Sequence, residues 1–164
     1  VFGEYQRTRF LALFRPEDFT DESYQQLKGL NALGSGGFFG QGLFKGTYTQ
    51  AGIVPESEND MIFTSIGEET GFFGCLIALG LLFAMVIKMI QTGKEARDFS
   101  SQIACYGVAA MIAFHSFVNI GVATNLLPNT GLPLPFISYG LSSLLANMVG
   151  IGLVINIDLQ KGRR

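Results

Sequence analysis

Two carboxylates one helical turn apart are the residues best suited to chemistry in this sequence. Glu56 and Asp60 follow Pro55, a residue favoured at the first position of a helix, so both side chains are expected on one helix face. Two neighbouring carboxylates push their pKa values apart, which is one route to a general base. The alternative is structural, because acids in a first helical turn complement the helix dipole.

A second candidate is the glycine-rich loop, defined as residues 34–46, which reads GSGGFFGQGLFKG and contains six glycines. A loop of this composition could cradle a phosphate. Its spacing, however, matches neither G-x-x-x-x-G-K-[ST] nor G-x-G-x-x-G, and no strand precedes it. The favoured interpretation is a re-entrant or surface loop whose glycines allow close packing against helices.

Three apolar stretches, residues 70–90, 103–122 and 136–157, are long enough to cross a membrane as helices. Lys88 lies near the end of the first and can reach the interface, and the second carries only His115 as a potentially charged group. The chain is 48% hydrophobic and 15% charged, a composition too apolar for an ordinary soluble domain. The sequence therefore predicts an all-α integral membrane protein, a polytopic helical bundle with a large extracytoplasmic helical loop.

Residues 1–69 differ, because charges recur every few positions and no apolar run reaches spanning length. Thr20 or Asp21 is expected to cap a helix that runs to Leu33, although Gly29 weakens it. The chain begins at a valine without a targeting signal. We therefore expect a C-terminal fragment whose upstream part is missing.

Basic residues predict the orientation of the spans. They lie at the connection 91–102 and in the tail 158–164, which are expected in the cytoplasm, whereas residues 1–69 and 123–135 are expected outside. Glu68 and Glu69, directly before the first span, are interpreted as a solvated interface edge. Polar side chains inside the spans are interpreted as hydrogen-bonding partners between helices: His115, Asn119, Asn147 and Asn156. A net charge of −2 gives no indication of nucleic acid binding.

Three blocks of sequence, in the same order and with similar spacing, resemble the SEDS family (shape, elongation, division and sporulation), which includes RodA, FtsW and SpoVE. They are the glycine-rich loop; VPESENDMIF at 54–63 with IGEETG at 66–71; and VNIG at 118–121 with LPNTGLPLPFISYG at 127–140. The second block resembles the family signatures P-E-x-x-x-D-F-I-F and G-E-E-x-G. Thr49-Gln50 and the V-P-E-x-x-N-D form favour the RodA branch.

The chain departs from the family pattern at a few positions. Glu58-Asn59 stands where many members have His-Thr, and Met61 stands where phenylalanine is common. Leu141 replaces a glycine, and Arg15 replaces an acid before Pro16. None of these changes removes Asp60, although Glu58 adds a third nearby acid.

The resemblance implies a ten-span peptidoglycan glycosyltransferase of the bacterial cytoplasmic membrane that polymerises lipid II at the outer face. It also implies a class B penicillin-binding protein, a transpeptidase, as partner. This chain would supply the large loop between spans seven and eight, which carries the catalytic motif, and spans eight to ten. Asp60, the aspartate of P-E-x-x-x-D, would be the catalytic residue.

The expected mechanism uses Asp60 as general base and an undecaprenyl pyrophosphate leaving group. Glu56 is a candidate supporting or metal-binding acid. Lys45, Arg7 and Arg9 are candidates for binding the pyrophosphate, as is a divalent cation, Mg²⁺ or Mn²⁺. No other cofactor is expected.

Two other classes of function stay open at this stage. A lipid-linked precursor transporter, or flippase, usually has ionisable residues at the midplane of its spans, where these spans offer only His115. A non-catalytic scaffold of the elongation or division complex would tolerate replacement of Asp60.

Overall fold

The computed structural model describes residues 20–52 and 59–161, with side chains described between Gln26 and Gln160. This part of the chain contains five helices and no strand: α1 (Thr20–Ser35), α2 (Thr47–Gln50), α3 (Ile62–Glu95), α4 (Phe99–Ala123) and α5 (Leu141–Lys161). Three of them, α3, α4 and α5, are long and apolar enough to cross a membrane. The predicted all-α membrane class is confirmed.

The connection between α3 and α4 is shorter than the sequence predicted. Only residues 96–98 join the two helices, where a loop over 91–102 was expected. Asp98 caps α4, because its carboxylate accepts hydrogen bonds from the backbone N–H and the hydroxyl of Ser101, both at 2.9 Å. These bonds, the backbone one foremost, lower the pKa of Asp98.

The predicted start of the third span at residue 136 is wrong, since α5 begins at Leu141. Phe136 has a φ of 65°, in the left-handed region that no helix uses. The chain forms a turn here instead: the Leu134 N–H donates to Ser138 Oγ at 2.7 Å, and the Ser138 N–H donates to the Leu134 carbonyl at 3.0 Å. Hydropathy alone does not separate this apolar turn from the helix that follows.

Gly71 divides α3 into residues 62–70 and 72–95, because its φ of 69° and ψ of −165° are not helical. The glycine-rich loop crosses this break. Four backbone hydrogen bonds join the loop to α3. They are Gln41 N to Glu68 O at 2.9 Å, Gly42 N to Glu69 O at 3.0 Å, Phe72 N to Gly37 O at 2.9 Å and Phe73 N to Phe38 O at 3.3 Å. The loop thereby replaces hydrogen bonds that the broken helix lacks.

The loop lies so close to α3 that side chains would not fit at the contact. A Cβ at Gly40 would lie 2.2 Å from the Glu69 carbonyl oxygen, and one at Gly36 would lie 1.9 Å from that of Gly67. The predicted packing of the glycine-rich loop against helices is confirmed.

Helix α1 forms over the predicted region and packs against α3 and α4. One buried cluster joins α1, α4 and the residue after Asp60; its members are Ala32, Met61, Val118 and Val122. Gly29, which weakens α1 as an isolated helix, leaves room for this packing, because a Cβ there would lie 2.4 Å from Met61 Cε. The cluster therefore supports the turn that carries Asp60.

Candidate active site around Asp60

Asp60 lies in the turn that precedes α3, and its main chain is held by Asn119 from α4. The Nδ2 group of Asn119 donates to the carbonyl of Asp60 at 2.8 Å and to the carbonyl of Leu132 at 2.8 Å. Asn119 is 1% exposed. One buried amide therefore ties both the Asp60 turn and the α4–α5 loop (residues 124–140) to the same point on α4.

A second bond joins the same two segments. The Ser138 hydroxyl donates to the carbonyl of Asn59 at 2.7 Å while its oxygen accepts from the N–H of Leu134. The turn that precedes α5 thus places the Ser138 hydroxyl against Asn59, the residue before Asp60. Two consecutive carbonyls, those of Asn59 and Asp60, are fixed by side chains from outside their own turn.

Asp60 is half-buried, and its carboxylate lies close to Gly131 in the α4–α5 loop. Gly131 has a φ of 68°, and a Cβ added there would lie 3.3 Å from Asp60 Oδ2. The Gly131 N–H donates to Asn129 Oδ1 at 3.2 Å, which helps to hold the loop in this shape. A partly accessible carboxylate on a fixed backbone is suited to accept a proton from a bound hydroxyl.

Glu68 is a residue whose importance the sequence analysis missed. Its side chain is 0% exposed, and the carboxylate accepts hydrogen bonds from the N–H groups of Tyr48 at 2.7 Å and Thr49 at 3.0 Å. The hydroxyls of Thr47, at 3.3 Å, and Thr49 also donate to it. The predicted solvated position is therefore wrong for Glu68.

The cause is the first turn of α2, whose unpaired N–H groups point at this carboxylate. Gly46 contributes space, because a Cβ there would lie 2.8 Å from Glu68 Oε2. A signal for this contact exists in the sequence as Gly-Thr-x-Thr at 46–49, a pattern rich in small donors. Glu68 thus holds α2, the last described element before the Asp60 turn.

The other predicted site residues are placed as follows. Glu56, Arg7 and Arg9 lie outside the described residues, so their roles stay predictions. The side chain of Lys45 is exposed, and its backbone N–H donates to the Gly42 carbonyl at 3.1 Å. The glycine-rich loop is held by the break in α3, whereas Asp60 is held by α4 and the α4–α5 loop, so different parts of the chain position Lys45 and Asp60.

The described side chains do not by themselves form a metal site. Among residues 26–52 and 59–160, no group of three or more His, Cys, Asp or Glu side chains could hold a cation. The divalent cation therefore stays a prediction in which Glu56 would take part.

The four polar side chains that were expected to form hydrogen bonds between helices have different surroundings. Asn119 donates to loop carbonyls, and Asn156 Oδ1 accepts from Gln160 of its own helix at 2.9 Å. Asn147 is buried, and the ring of His115 lies 6.4 Å from that of Phe114. Asn119 is therefore part of the site and not a contact between spans.

These features define an all-α membrane protein in which α4 and the α4–α5 loop fix the backbone at Asp60. The family model described as "Cell cycle protein" (FtsW, RodA and SpoVE) matches residues 1–163, so the chain belongs to that family. The membership predicted from the motifs is confirmed.

Relatives and a solved structure agree with this assignment. "Probable peptidoglycan glycosyltransferase FtsW" of Trichlorobacter lovleyi is 38% identical over 159 residues, which cover 96% of this chain and 42% of the relative. "Peptidoglycan glycosyltransferase MrdB" of Escherichia coli K12 is 36% identical over 162 residues, which cover 98% and 44%. A solved structure described as "Structural coordination of polymerization and crosslinking by a peptidoglycan synthase complex" matches with a TM-score of 0.76 and 27% identity, over 99% of this chain and 44% of that one.

The chain therefore spans less than half the length of these relatives. The relative named FtsW and the relative named MrdB, which is of the RodA type, match this chain at nearly equal identity. The preference for the RodA branch stays a prediction.

Proposed function

We propose that the complete protein is a peptidoglycan glycosyltransferase that joins lipid II into glycan strands at the outer face of the bacterial cytoplasmic membrane. The observation that carries the proposal is the half-buried carboxylate of Asp60 on a backbone fixed by Asn119 and beside Gly131. Relatives named as peptidoglycan glycosyltransferases, at 36% to 38% identity, support it.

In this mechanism Asp60 is the general base. Its carboxylate takes the proton from the 4-hydroxyl of the acceptor's N-acetylglucosamine as that oxygen attacks the anomeric carbon of the lipid-linked donor. The bond to undecaprenyl pyrophosphate breaks, and the pyrophosphate leaves with the electron pair. A well-placed base contributes about 10²–10⁴ in rate. The hydrogen bonds to the carbonyls of Asn59 and Asp60 favour catalysis because they fix the backbone that carries the carboxylate before substrate binds.

The pyrophosphate requires positive charge in a site of this kind. Lys45 is exposed and carries its ammonium on a loop attached to α3. Arg7 and Arg9 are the other candidates on this chain, and Glu56 would support Asp60 or bind a divalent cation.

Two observations support the membrane setting and the partner. Large apolar side chains are exposed along α3, α4 and α5, as expected for helices in lipid. Lys88 and Lys94 lie toward the end of α3 and Arg97 lies in the α3–α4 connection, which favours a cytoplasmic position for the connection and an outer position for Asp60. The solved relative is described by the coordination of polymerization and crosslinking in a peptidoglycan synthase complex, which supports a class B penicillin-binding protein as partner.

The test separates the three classes of function. The complete protein and its transpeptidase partner are placed in vesicles with labelled lipid II, and both glycan polymer and movement of lipid II across the bilayer are measured. Polymer formation supports the proposal. Movement without polymer would favour a flippase, and neither activity with normal recruitment of the partner would favour a scaffold.

A further inference from the structure

The glycine-rich loop exposes an apolar surface that the proposed active site does not use. Its large side chains are strongly exposed: Phe38 at 69%, Phe39 at 83%, Leu43 at 67% and Phe44 at 81%. The loop contains no charged residue before Lys45. Adjacent apolar side chains of this size rarely face water on a protein surface.

This surface continues the apolar face of α3. The ring of Phe39 stacks on that of Phe73 at 5.4 Å, and the ring of Phe38 meets that of Phe72 edge to face at 6.1 Å. Phe72 and Phe73 are exposed and are the first residues after the break at Gly71. Loop and helix therefore present one aromatic surface.

The depth of that surface follows from the length of the helix. Sixteen residues separate Phe72 from Lys88, which corresponds to about 24 Å along a helix. The hydrocarbon layer of a bilayer is about 30 Å thick. If Lys88 reaches one interface, Phe72 and Phe73 lie inside the opposite edge of the hydrocarbon layer, as do the two rings that pack on them.

The backbone of the loop also suits this position. Irregular backbone is tolerated at membrane depth only where protein groups satisfy its hydrogen bonds. The N–H groups of Gly40, Gln41 and Gly42 all donate to backbone carbonyls, at 2.8 to 3.0 Å. The carbonyls of Gly37 and Phe38 accept from α3. These bonds pair polar groups of the loop with other backbone groups, and four of them join the loop to α3 across the break at Gly71.

We propose that the glycine-rich loop inserts into the outer leaflet, where Phe38, Phe39, Leu43 and Phe44 contact lipid acyl chains. Lys45 then lies at the level of the lipid headgroups. The continuity with the apolar face of α3 and the absence of charge favour lipid as the occupant of this surface. The inference rests on the membrane orientation and does not require glycan polymerisation.

Tryptophan fluorescence tests the inference directly, because the 164 residues contain no tryptophan. The complete protein carries Phe39→Trp or Phe44→Trp, and the emission of the unsubstituted protein is subtracted. It is reconstituted in phosphatidylcholine vesicles whose acyl chains are brominated, which quench tryptophan on contact. Phe83→Trp, at a 68% exposed position within α3, is the lipid control, and Gln50→Trp, at an exposed position of α2, is the aqueous control.

We expect brominated lipid to quench both loop tryptophans as strongly as it quenches Phe83→Trp, and to leave Gln50→Trp bright. Quenching of the loop positions by aqueous iodide in place of brominated lipid would overturn the inference and put the loop in water. Protection from both quenchers would also overturn it, because another part of the protein would then cover the loop.

Discussion

Asn119, buried in α4, holds the backbone carbonyl of Asp60 through a 2.8 Å hydrogen bond from its side-chain amide. Its other amide hydrogen holds Leu132 in the α4–α5 loop. The planar side-chain amide of Asn119 therefore sets the distance between the Asp60 turn and this loop. Movement of either segment would break one of the two bonds.

Replacement of Asn119 by leucine tests this role. Both carbonyls lose their donor, so we expect a loss of about 1–3 kcal/mol in the free energy of unfolding and a slower polymerisation rate. Thermal unfolding in detergent and initial polymerisation rates measure the two effects. Asn156→Leu is the matched control, since that side chain is exposed and bonds within α5. Equal behaviour of the two variants would argue against the role of Asn119.

Gly131→Ala tests the contact between the α4–α5 loop and the carboxylate. The new Cβ would lie 3.3 Å from Asp60 Oδ2 at a residue with a φ of 68°. We expect a reduced kcat, together with about 1 kcal/mol of backbone strain.

Gly52→Ala separates strain from contact. Gly52 has a φ of 63° and no atom within 4 Å of an added Cβ, so it should lose similar stability and retain its rate. A rate loss of the same size in both variants would show that backbone strain, not the Asp60 contact, is responsible.

Glu68→Gln probes the anchor of α2. The amide NH₂ group would oppose donors that now bond to the carboxylate, so we expect a loss of about 1–3 kcal/mol in unfolding free energy. Glu69→Gln changes the neighbouring, half-buried acid and should have little effect. The comparison is made by thermal unfolding of both variants in detergent, and equal melting temperatures would contradict the assigned role of Glu68.

Much of the fold was predictable because membrane helices are encoded by long apolar runs. The three spanning helices were found in this way, whereas α1 was predicted from its capping residues. The start of α5 was not, because Phe136 and Ile137 are as apolar as the helix that follows, and the turn is seen only in the φ of Phe136 and the bonds between Leu134 and Ser138.

The site was predictable at Asp60 through the family motif, but its surroundings were not. Asn119 was expected between helices, and Glu68 was expected in water. Neither interpretation included a contact with a loop or with α2. The partners of Asn119 lie 59 and 13 residues away, and those of Glu68 lie 19 to 21 residues away. Contacts of this range depend on the folded arrangement of α2 and the α4–α5 loop.

The most direct measurement of the central claim compares the complete protein with its Asp60→Asn variant, each bound to the transpeptidase partner and supplied with purified lipid II. Because asparagine keeps the shape and removes the base, we expect partner and lipid II binding to be retained and polymerisation to fall by about 10²–10⁴. An Asp60→Asn protein that is folded, binds lipid II and polymerises it at the wild-type rate would contradict the assignment of Asp60 as general base.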